Sequence, residues 1–321
     1  MFEMLAPDLG RLRLPVSFPP QHVNSYLLRD GDGWFVVDCG RHDEPTRAVW
    51  QQFLASPELG GGISRIFLTH THPDHSGSAA WLSAQTGAPV LLAAAEWDWM
   101  QRIWARATEQ PEQIKAFFAG WGAEPPQQQL AVHMLAKFRD GNPLMTGEVV
   151  TLAPGDSLTI NGTRWSLEGG EGHTICNLLL HQPQQQRLIT GDQVLPGIRP
   201  NVSIWYSMEH DALGDYLRSV ARLAALPVAW AYPAHGDPFD NYAERCEQLL
   251  TFHRGRLGRT RELFIQQRDW RIEQLLEQLL GARGNEGNFL LKAGQLYAIL
   301  RHLQQAGEVS SSQPGYWHYS A

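Results

Sequence analysis

Seven residues in this 321-residue chain are of types that bind metal ions, and four of them fall within one short run. The four are His70, His72, Asp74 and His75. They follow the apolar residues 66–68, with Thr69 between. In an extended backbone His70 and His72 share one face, and a turn at Pro73 brings the next two side chains round to another. This run therefore predicts ligands for two adjacent metal ions.

The other ligands must come from later in the chain, where three single residues have suitable neighbours. They are His173, Asp192 and His235. Each comes shortly after an apolar run and lies next to a glycine, at Gly172, Gly191 and Gly236. Strand ends that deliver single side chains at bends in the backbone suit a site built across loops.

These seven residues resemble, in type and order, the hallmark of the metallo-beta-lactamase-fold superfamily. That hallmark is a His-x-His-x-Asp-His run followed by a lone His, an Asp and a final His. The resemblance covers roughly the first three quarters of the chain. It implies an α/β fold of the αββα sandwich type.

The resemblance also implies a role for each residue. One divalent cation would be held by His70, His72 and His173, and a second by Asp74, His75 and His235, with Asp192 bridging the two. Asp38 would orient a metal-bound imidazole, as carboxylates beside ligating histidines do. Nitrogen and carboxylate ligands without thiolate suit zinc, and iron or manganese would also fit.

Such a site implies hydrolysis by a hydroxide that bridges the two cations and attacks a carbonyl carbon or a phosphorus atom. Asp74 would act as the catalytic residue, because it is placed to orient the nucleophile and take its proton. We expect the substrate to be a small organic ester, thioester or lactone. Two alternatives stay open: a phosphodiesterase or endoribonuclease, and a regulatory or partner-binding protein with a retained metal site and little turnover.

Two named activities of the superfamily are less expected in their usual forms. The lactonase pattern has Tyr three residues beyond the bridging Asp, where this chain has Leu195. The glutathione-thioesterase pattern has cationic and Tyr side chains shortly after that Asp, where this chain has residues 200–203, Pro-Asn-Val-Ser.

The elements that position these residues can also be predicted. Short strands and turns occupy residues 11–37, followed by a helix over 46–54, a strand over 63–69 and a helix over 76–86. Strands alternating with helices at this spacing indicate a layered α/β architecture.

A helical, aromatic insert is predicted at about residues 96–147, with a break at 125–129. Trp97, Met100 and Trp104 recur at helical spacing and form one stripe. Two interpretations of the stripe stay open, since it could be the insert's own core or a wall of the substrate pocket.

Residues 1–240 are predicted to form the catalytic domain and residues 241–321 a C-terminal domain. The latter shows helices at 241–264, 270–280 and 289–306, then short extended pieces. This order resembles a winged helix and the beta-lactamase-like endoribonuclease branch with its bacterial relatives. The first of these helices carries four arginines, which predict either a solvated face or a clamp for one phosphate or carboxylate. They are Arg254, Arg256, Arg259 and Arg261.

Charge and composition bear on the partners. Residues 1–239 carry 16 Lys and Arg against 24 Asp and Glu, and residues 240–321 carry 10 against 9. The tail thus lacks the positive field that nucleic-acid binding normally needs, so a small-molecule substrate is favoured over nucleic acid. The tail could also serve as a homodimer contact.

No segment has the length and apolar character of a membrane span, and three widely spaced cysteines argue against a disulfide framework. We therefore expect a cytoplasmic protein without a membrane partner. The remaining histidines show no ligand pattern and are interpreted as surface or structural residues. They are His22, His42, His133, His181, His210, His253, His302 and His318.

Overall fold

The computed structural model describes residues 2–104, 109–206, 210–281 and 289–320, and the strands within these ranges form three sheets. The first sheet has the order β1 (Phe2–Ala6), β2 (Leu9–Pro15), β3 (His22–Asp30), β4 (Gly33–Val37), β5 (Ile63–Phe67), β6 (Val90–Ala93) and β7 (Val149–Leu152). The second has the order β12 (Trp230–Pro233), β11 (Arg187–Gly191), β10 (Asn177–Gln182), β9 (Thr163–Gly170) and β8 (Ser157–Ile160). The third has the order β13 (Asp269–Arg271), β15 (Tyr316–Tyr319) and β14 (Val309–Gln313).

The helices connect and cover these sheets. They are α1 (Glu44–Leu54), α2 (Pro73–Ser76), α3 (Ala79–Thr86), α4 (Ala94–Trp99), α5 (Pro111–Gly120), α6 (Pro125–Asp140), α7 (Ala212–Leu223), α8 (Tyr242–Gln266), α9 (Ile272–Leu280) and α10 (Phe289–Gln305). A 3-10 turn lies at Pro57–Leu59 and a π-helical segment at Met100–Trp104.

Strand β4 shows how the sequence produces the layers. Its side chains alternate, so that Phe35 and Val37 enter the core between the first two sheets, while Trp34 and Val36 enter the core on the helical side. β4 and β5 pair in parallel, and parallel strands are usually covered on both faces and are therefore apolar throughout. Leu178 and Leu179 on β10 divide in the same way between the two cores. The predicted α/β fold with an αββα sandwich is confirmed.

The predicted helix over residues 76–86 is wrong as a single helix. The structure has α2 and then α3, separated at Gly77 and Ser78. The backbone N–H of Ser78 donates to the carbonyl of Gly40, outside the helix, and its hydroxyl donates to the carbonyl of Arg41. A side chain at Gly77 would meet the backbone of His42 and Gly141. Contacts to distant loops therefore interrupt a segment that is helical by its local pattern.

The predicted break at residues 125–129 is also wrong, because α6 begins there. Pro125 stands at the first helical position, where its missing N–H costs no hydrogen bond. Glu124 and Gln127 form a reciprocal capping box around that position. The same residue types that suggest a break between helices thus form the start of one.

Residues 242–320 contain the predicted helices and terminal hairpin, with β13 as an additional strand that pairs with β15. The winged-helix resemblance of this segment stays a prediction. The four arginines of α8 do not converge. Arg254, Arg259 and Arg261 pair with Glu247, Glu262 and Glu308, whereas Arg256 donates to Gln295.

None of the helices in the described part of the chain combines the length and the apolar character needed to cross a membrane. Cys39, Cys176 and Cys246 are buried free thiols.

Candidate metal centre

The histidine-rich run lies in the loop after β5, and Asp38 determines where the strand ends. The N–H of Thr69 donates to Asp38 Oδ1 at 2.8 Å and its hydroxyl donates to Asp38 Oδ2 at 2.8 Å. These bonds replace the next rung of the sheet, so the chain leaves β5 at Phe67. Pro73 then starts α2, which places Asp74 and His75 on a helical turn.

Glycines allow the next two residues to enter the site. Gly172 has a φ of +95°, and a Cβ there would lie 2.3 Å from the carbonyl oxygen of Ala212. Gly191 has a φ of +51°, and a Cβ there would lie 2.8 Å from the Asn177 side chain. Because both positions require a left-handed backbone without a side chain, the chain can turn at once and present His173 and Asp192.

His235 follows β12 and is positioned by a buried asparagine on β3. The side-chain nitrogen of Asn24 donates to the carbonyls of Pro233 at 2.9 Å and Gly236 at 2.7 Å. The backbone N–H of Asn24 donates to the carbonyl of Ala234 at 2.7 Å. The loop that carries His235 is therefore attached to the first sheet.

The structure brings all seven predicted residues together. His70, His72 and His173 offer ligand atoms within 4.8 Å of one another, and Nε2 of His70 lies 3.0 Å from Nδ1 of His72. A second group consists of Asp74, His75 and His235, whose ligand atoms also lie within 4.8 Å of one another.

Asp192 lies between the two groups with one oxygen toward each. Its Oδ2 is 3.6 Å from Nε2 of His173, and its Oδ1 is 3.5 Å from Nε2 of His75 and 3.6 Å from Nε2 of His235. Asp74 Oδ2 lies 3.3 Å from Nε2 of His235. This is the arrangement that a bridging carboxylate requires.

Hydrogen bonds at the far nitrogens determine which imidazole atoms face the centre. His75 Nδ1 bonds to Asp38 Oδ2 at 2.8 Å, and His173 Nδ1 donates to the carbonyl of Asn201 at 2.8 Å. His235 Nδ1 donates to the carbonyl of His22 at 2.8 Å. Since carbonyl and carboxylate oxygens only accept, each Nδ1 carries a proton, and Nε2 has a lone pair when the ring is neutral.

His70 is held in the same way. Its Nδ1 lies 3.0 Å from the hydroxyl of Thr69, whose own proton goes to Asp38, so Nδ1 is again the donor. Four imidazoles thus direct Nε2 toward the cluster, a pattern that matches the oriented histidines of metal sites.

Three buried atoms of the cluster have no hydrogen-bond partner within the described residues. They are Nε2 of His75, Nε2 of His173 and Oδ1 of Asp192. Buried polar atoms are normally satisfied, and two lone-pair nitrogens around a carboxylate oxygen cannot satisfy one another. Divalent cations fit this donor set, because each unpartnered atom would become a ligand.

Burial keeps two of these imidazoles neutral. Burial, and then the charges of neighbouring histidines, hold the pKa of His70 well below its ordinary value and lower the pKa of His72 to about 3. Burial also disfavours the charged form of His75, but the carboxylates of Asp192 and Asp38 outweigh burial and raise its pKa. The neutral imidazole is the form that binds metal, so a cation that binds at His75 would displace a proton from that ring.

Sequence reasoning missed the residues that brace the loops. The buried carboxylate of Glu96 accepts from the N–H of Thr71 at 3.0 Å and from the N–H of Cys176 at 3.0 Å, which joins the histidine run to the loop after His173. Asn142 donates to the carbonyl of Thr71 at 2.7 Å. A single acidic residue in the apolar stretch 90–97 was the available signal for Glu96.

The centre opens into a cavity of about 500 Å³ with largely apolar walls. Phe18, Trp99, Met134, Phe138, Trp205 and Leu291 contribute to these walls. Of the predicted aromatic stripe, Met100 is fully buried and Trp97 packs against the core, while the side chain of Trp104 lies outside the described residues. The insert therefore faces the site through Trp99 and α6.

Cys176 is buried close to the site without being part of it. Its thiol belongs to none of the metal-competent groups in the described ranges. Burial, with Glu96 and Glu171, raises its pKa to about 12, so it stays protonated.

An αββα sandwich that gathers five imidazoles and two carboxylates beyond its strand ends defines a class of metal-binding α/β proteins. The family model of the metallo-beta-lactamase superfamily matches residues 18–235, and the chain belongs to that superfamily.

Solved structures and curated proteins agree with this assignment. A beta-lactamase domain protein from Burkholderia ambifaria superposes with a TM-score of 0.85 at 27% identity, covering 100% of this chain and 93% of that one. A metallo-beta-lactamase family protein from Thermus thermophilus superposes with a TM-score of 0.83 at 26% identity, covering 99% of this chain and 100% of that one.

Two curated fungal proteins also match. The lactamase-like protein adaB of Aspergillus niger is 24% identical over 80% of this chain and 61% of its own length. The atrochrysone carboxyl ACP thioesterase of Aspergillus fumigatus is 24% identical over 77% of this chain and 62% of its own length. The chain thus spans about three fifths of the length of these relatives.

Proposed function

We propose that the protein is a binuclear metal-dependent hydrolase that acts on a small organic thioester, ester or lactone. The observation that carries the proposal is the convergence of seven metal-competent side chains at one end of an apolar cavity of about 500 Å³. In this proposal His70, His72 and His173 hold one cation, and Asp74, His75 and His235 hold the other. Asp192 bridges them, and zinc is the metal expected from nitrogen and carboxylate ligands.

When bound, two divalent cations supply an activated water at neutral pH and polarise the electrophile of the substrate. Asp74 lines the cavity, and its carboxylate orients the attacking water and accepts its proton. Burial opposes ionisation of Asp74, but His75 and His235 outweigh burial and lower its pKa, so the acceptor is ionised. The apolar walls exclude bulk water from the reacting carbonyl.

The cavity supports an acyl substrate with a sizeable apolar part. Aromatic and aliphatic side chains line it from the 18–20 loop, the insert and α10, next to the imidazoles and carboxylates of the metal centre. A thioesterase among the relatives favours the thioester within this class.

A phosphodiesterase is the second candidate. Arg41, Lys137 and Arg199 line the same cavity, and cationic side chains at its wall would suit a phosphodiester. The acidic balance of residues 1–239 and the nearly neutral tail argue for the acyl substrate instead.

The test is metal analysis of protein purified without added metal, together with a hydrolysis screen. The screen uses acyl thioester, lactone and bis-aryl phosphodiester probes. We expect about two metals per chain and turnover of the thioester. Turnover of the phosphodiester alone would favour the second candidate, and a rate on every probe that does not depend on metal would contradict both.

His72→Ala tests the site itself. Removing one of three ligands should empty the first metal position and reduce turnover to background, because the remaining imidazoles cannot complete the coordination. His133→Ala is the matched control, since His133 is an exposed residue on α6 outside the site. Unchanged metal content and rate in His72→Ala would overturn the assignment of that residue.

A further inference from the structure

A second cavity, of about 190 Å³, lies beside the first. α8, α10 and the 199–202 loop line it, and it shares Arg199 and Pro200 with the metal cavity. The two cavities therefore adjoin at these two residues.

Two guanidinium groups converge at this second cavity. Arg199 lies 4.1 Å and Arg256 4.5 Å from the ring centroid of Phe252. Neither forms an ion pair with a carboxylate in the described ranges, and Arg256 donates only to the neutral Oε1 of Gln295 at 3.0 Å. The other arginines that were predicted with Arg256 all have acidic partners. The cavity thus holds two positive charges that no acidic side chain within the described residues compensates.

A buried imidazole adds a further unsatisfied group. His253 lines the cavity, is 5% exposed, and its Nε2 has no hydrogen-bond partner among the described residues. Burial, and then Arg256 and Arg199, lower its pKa to about 4, so the ring is neutral. With no carboxylate among its described lining residues, the cavity offers donors and positive charge, and it would repel a cation. This chemistry selects an oxyanion.

We propose that the cavity lined by Arg199, His253, Arg256 and Gln295 binds a phosphate group carried by the substrate. The proposal rests on the proposed hydrolase function, because the cavity adjoins the metal cavity. A substrate whose carbonyl lies at the metals and whose chain passes Arg199 and Pro200 would bring a phosphate to Arg256. The substrate class is then a phosphate-bearing acyl thioester.

A hydrogen-bonded path links the two cavities. The side chain of Gln295 accepts from Arg256 and donates to Asn201 Oδ1 at 2.7 Å. The carbonyl of Asn201 accepts from Nδ1 of His173 at 2.8 Å. Phosphate bound at Arg256 would therefore act through Gln295 on Asn201, the residue that orients the proposed metal ligand His173.

The first experiment measures binding of inorganic phosphate to the metal-loaded protein by titration calorimetry. Arg256→Gln and Arg199→Gln should each weaken binding about tenfold or more, because each loses a charge-assisted hydrogen bond. Arg254→Gln is the matched control, since Arg254 lies on the same helix, is exposed and pairs with Glu247. Arg256 and Arg254 do not line the metal cavity, so phosphate at the metals contributes equally in Arg256→Gln and in the control. Affinities equal to that of the control in both variants would overturn the proposal.

The second experiment separates phosphate on the substrate from a free anion. KM is compared for an acyl phosphopantetheine thioester and for the neutral acyl N-acetylcysteamine thioester. Arg256→Gln should raise KM about tenfold for the first substrate only. Equal effects on both substrates would overturn the assignment to the substrate and leave a site for free phosphate. If neither thioester is hydrolysed, the proposed function fails, while the calorimetry still tests the anion site.

Discussion

At the residue scale, Asp38 performs several tasks in the centre. Its backbone has a φ of +58°, in the left-handed region that only glycine and a few polar residues enter readily. In that conformation one carboxylate bonds the Thr69 N–H, the Thr69 hydroxyl and Nδ1 of His75. The strained backbone thus joins the end of β4 to both the histidine run and a proposed ligand.

Asp38→Asn should lower the metal affinity of the second position by about tenfold to a hundredfold. Asn tolerates the left-handed backbone, so the fold is retained, and its oxygen still accepts from Thr69. Its amide nitrogen cannot accept from His75 Nδ1, so the ring loses its orientation. Competitive chelator titration measures the affinity, and Asp43→Asn, at the cap of α1, is the control for loss of one carboxylate. Affinity equal to that of the wild type would show that Asp38 does not act through His75.

At the element scale, α7 is connected to α10 through its N-cap. Asp211 accepts from the N–H of Gly214 at 2.9 Å and bonds to Nδ1 of His302 at 2.9 Å. The preceding loop of the second sheet packs on the same helix at Gly172, next to His173. The cap therefore helps to hold both the tail and a loop of the centre.

Asp211→Ala should lower the free energy of unfolding by about 2 kcal/mol, from the lost cap and the lost bond to His302. Burial opposes ionisation of Asp211, but its bonds to His302 and Gly214 outweigh burial and lower its pKa. The contribution of Asp211 to the free energy of unfolding is therefore fully present above the ordinary carboxyl pKa of about 4. It is lost as the pH falls through the lower pKa of the folded state.

Urea unfolding at pH 7 and at acid pH measures both effects. Asp215→Ala is the control, because Asp215 lies in the first turn of the same helix with an exposed Arg218 as partner. The difference in free energy of unfolding between the two variants should be smaller at acid pH than at pH 7. A constant difference at all pH values would contradict this account of Asp211.

The insert is the element that shapes the apolar wall. Phe138 on α6 lines the metal cavity and packs edge-on against Trp205 with ring centroids 6.1 Å apart. Phe138→Ala should lower kcat/KM for a long-chain acyl thioester about tenfold relative to the acetyl thioester, because apolar contact is lost. Phe117→Ala is the control, since Phe117 packs on Trp121 and Tyr206 and does not line the cavity. An unchanged ratio would place the acyl part elsewhere.

At the scale of the whole molecule, the tail packs as part of the main core. Leu249 and Leu257 of α8 and Leu300 of α10 belong to the same buried cluster as Tyr216 of α7. Arg245 of α8 donates to the carbonyl of Leu195 at 2.6 Å, in the loop that follows Asp192. The proposed division after residue 240 therefore separates two segments that share one core.

We expect the full chain to unfold in urea as a single cooperative transition, with fluorescence and circular dichroism midpoints that coincide. Residues 1–240 alone should fail to give a cooperative transition, because α7 would lose its packing against α8 and α10. Two separate transitions of the full chain, or a stable fragment, would show that the C-terminal segment is an independent domain.

The local pattern predicted the elements well where the contacts that decide them lie close in sequence. The strand and turn pattern of residues 11–37 and the long helix of α8 follow from spacing alone. The predictions failed at Gly77 and Pro125, where distant loops or a capping box determine the outcome. The sequence pattern predicted no role for His253, because the cavity around it is formed with Arg199, which lies far away in the chain.

The order and types of the seven imidazole and carboxylate residues are properties of the sequence, because a run of four within six positions is a local pattern. Only the tertiary structure decided that they converge, that Asp192 directs one oxygen to each group, and that Asn201 and Glu96 brace the loops. It also decided that His253 and Arg256 of α8 line one cavity with Arg199. Hydrogen bonds and charge contacts between residues far apart in sequence leave no periodic trace, so folding alone brings them together.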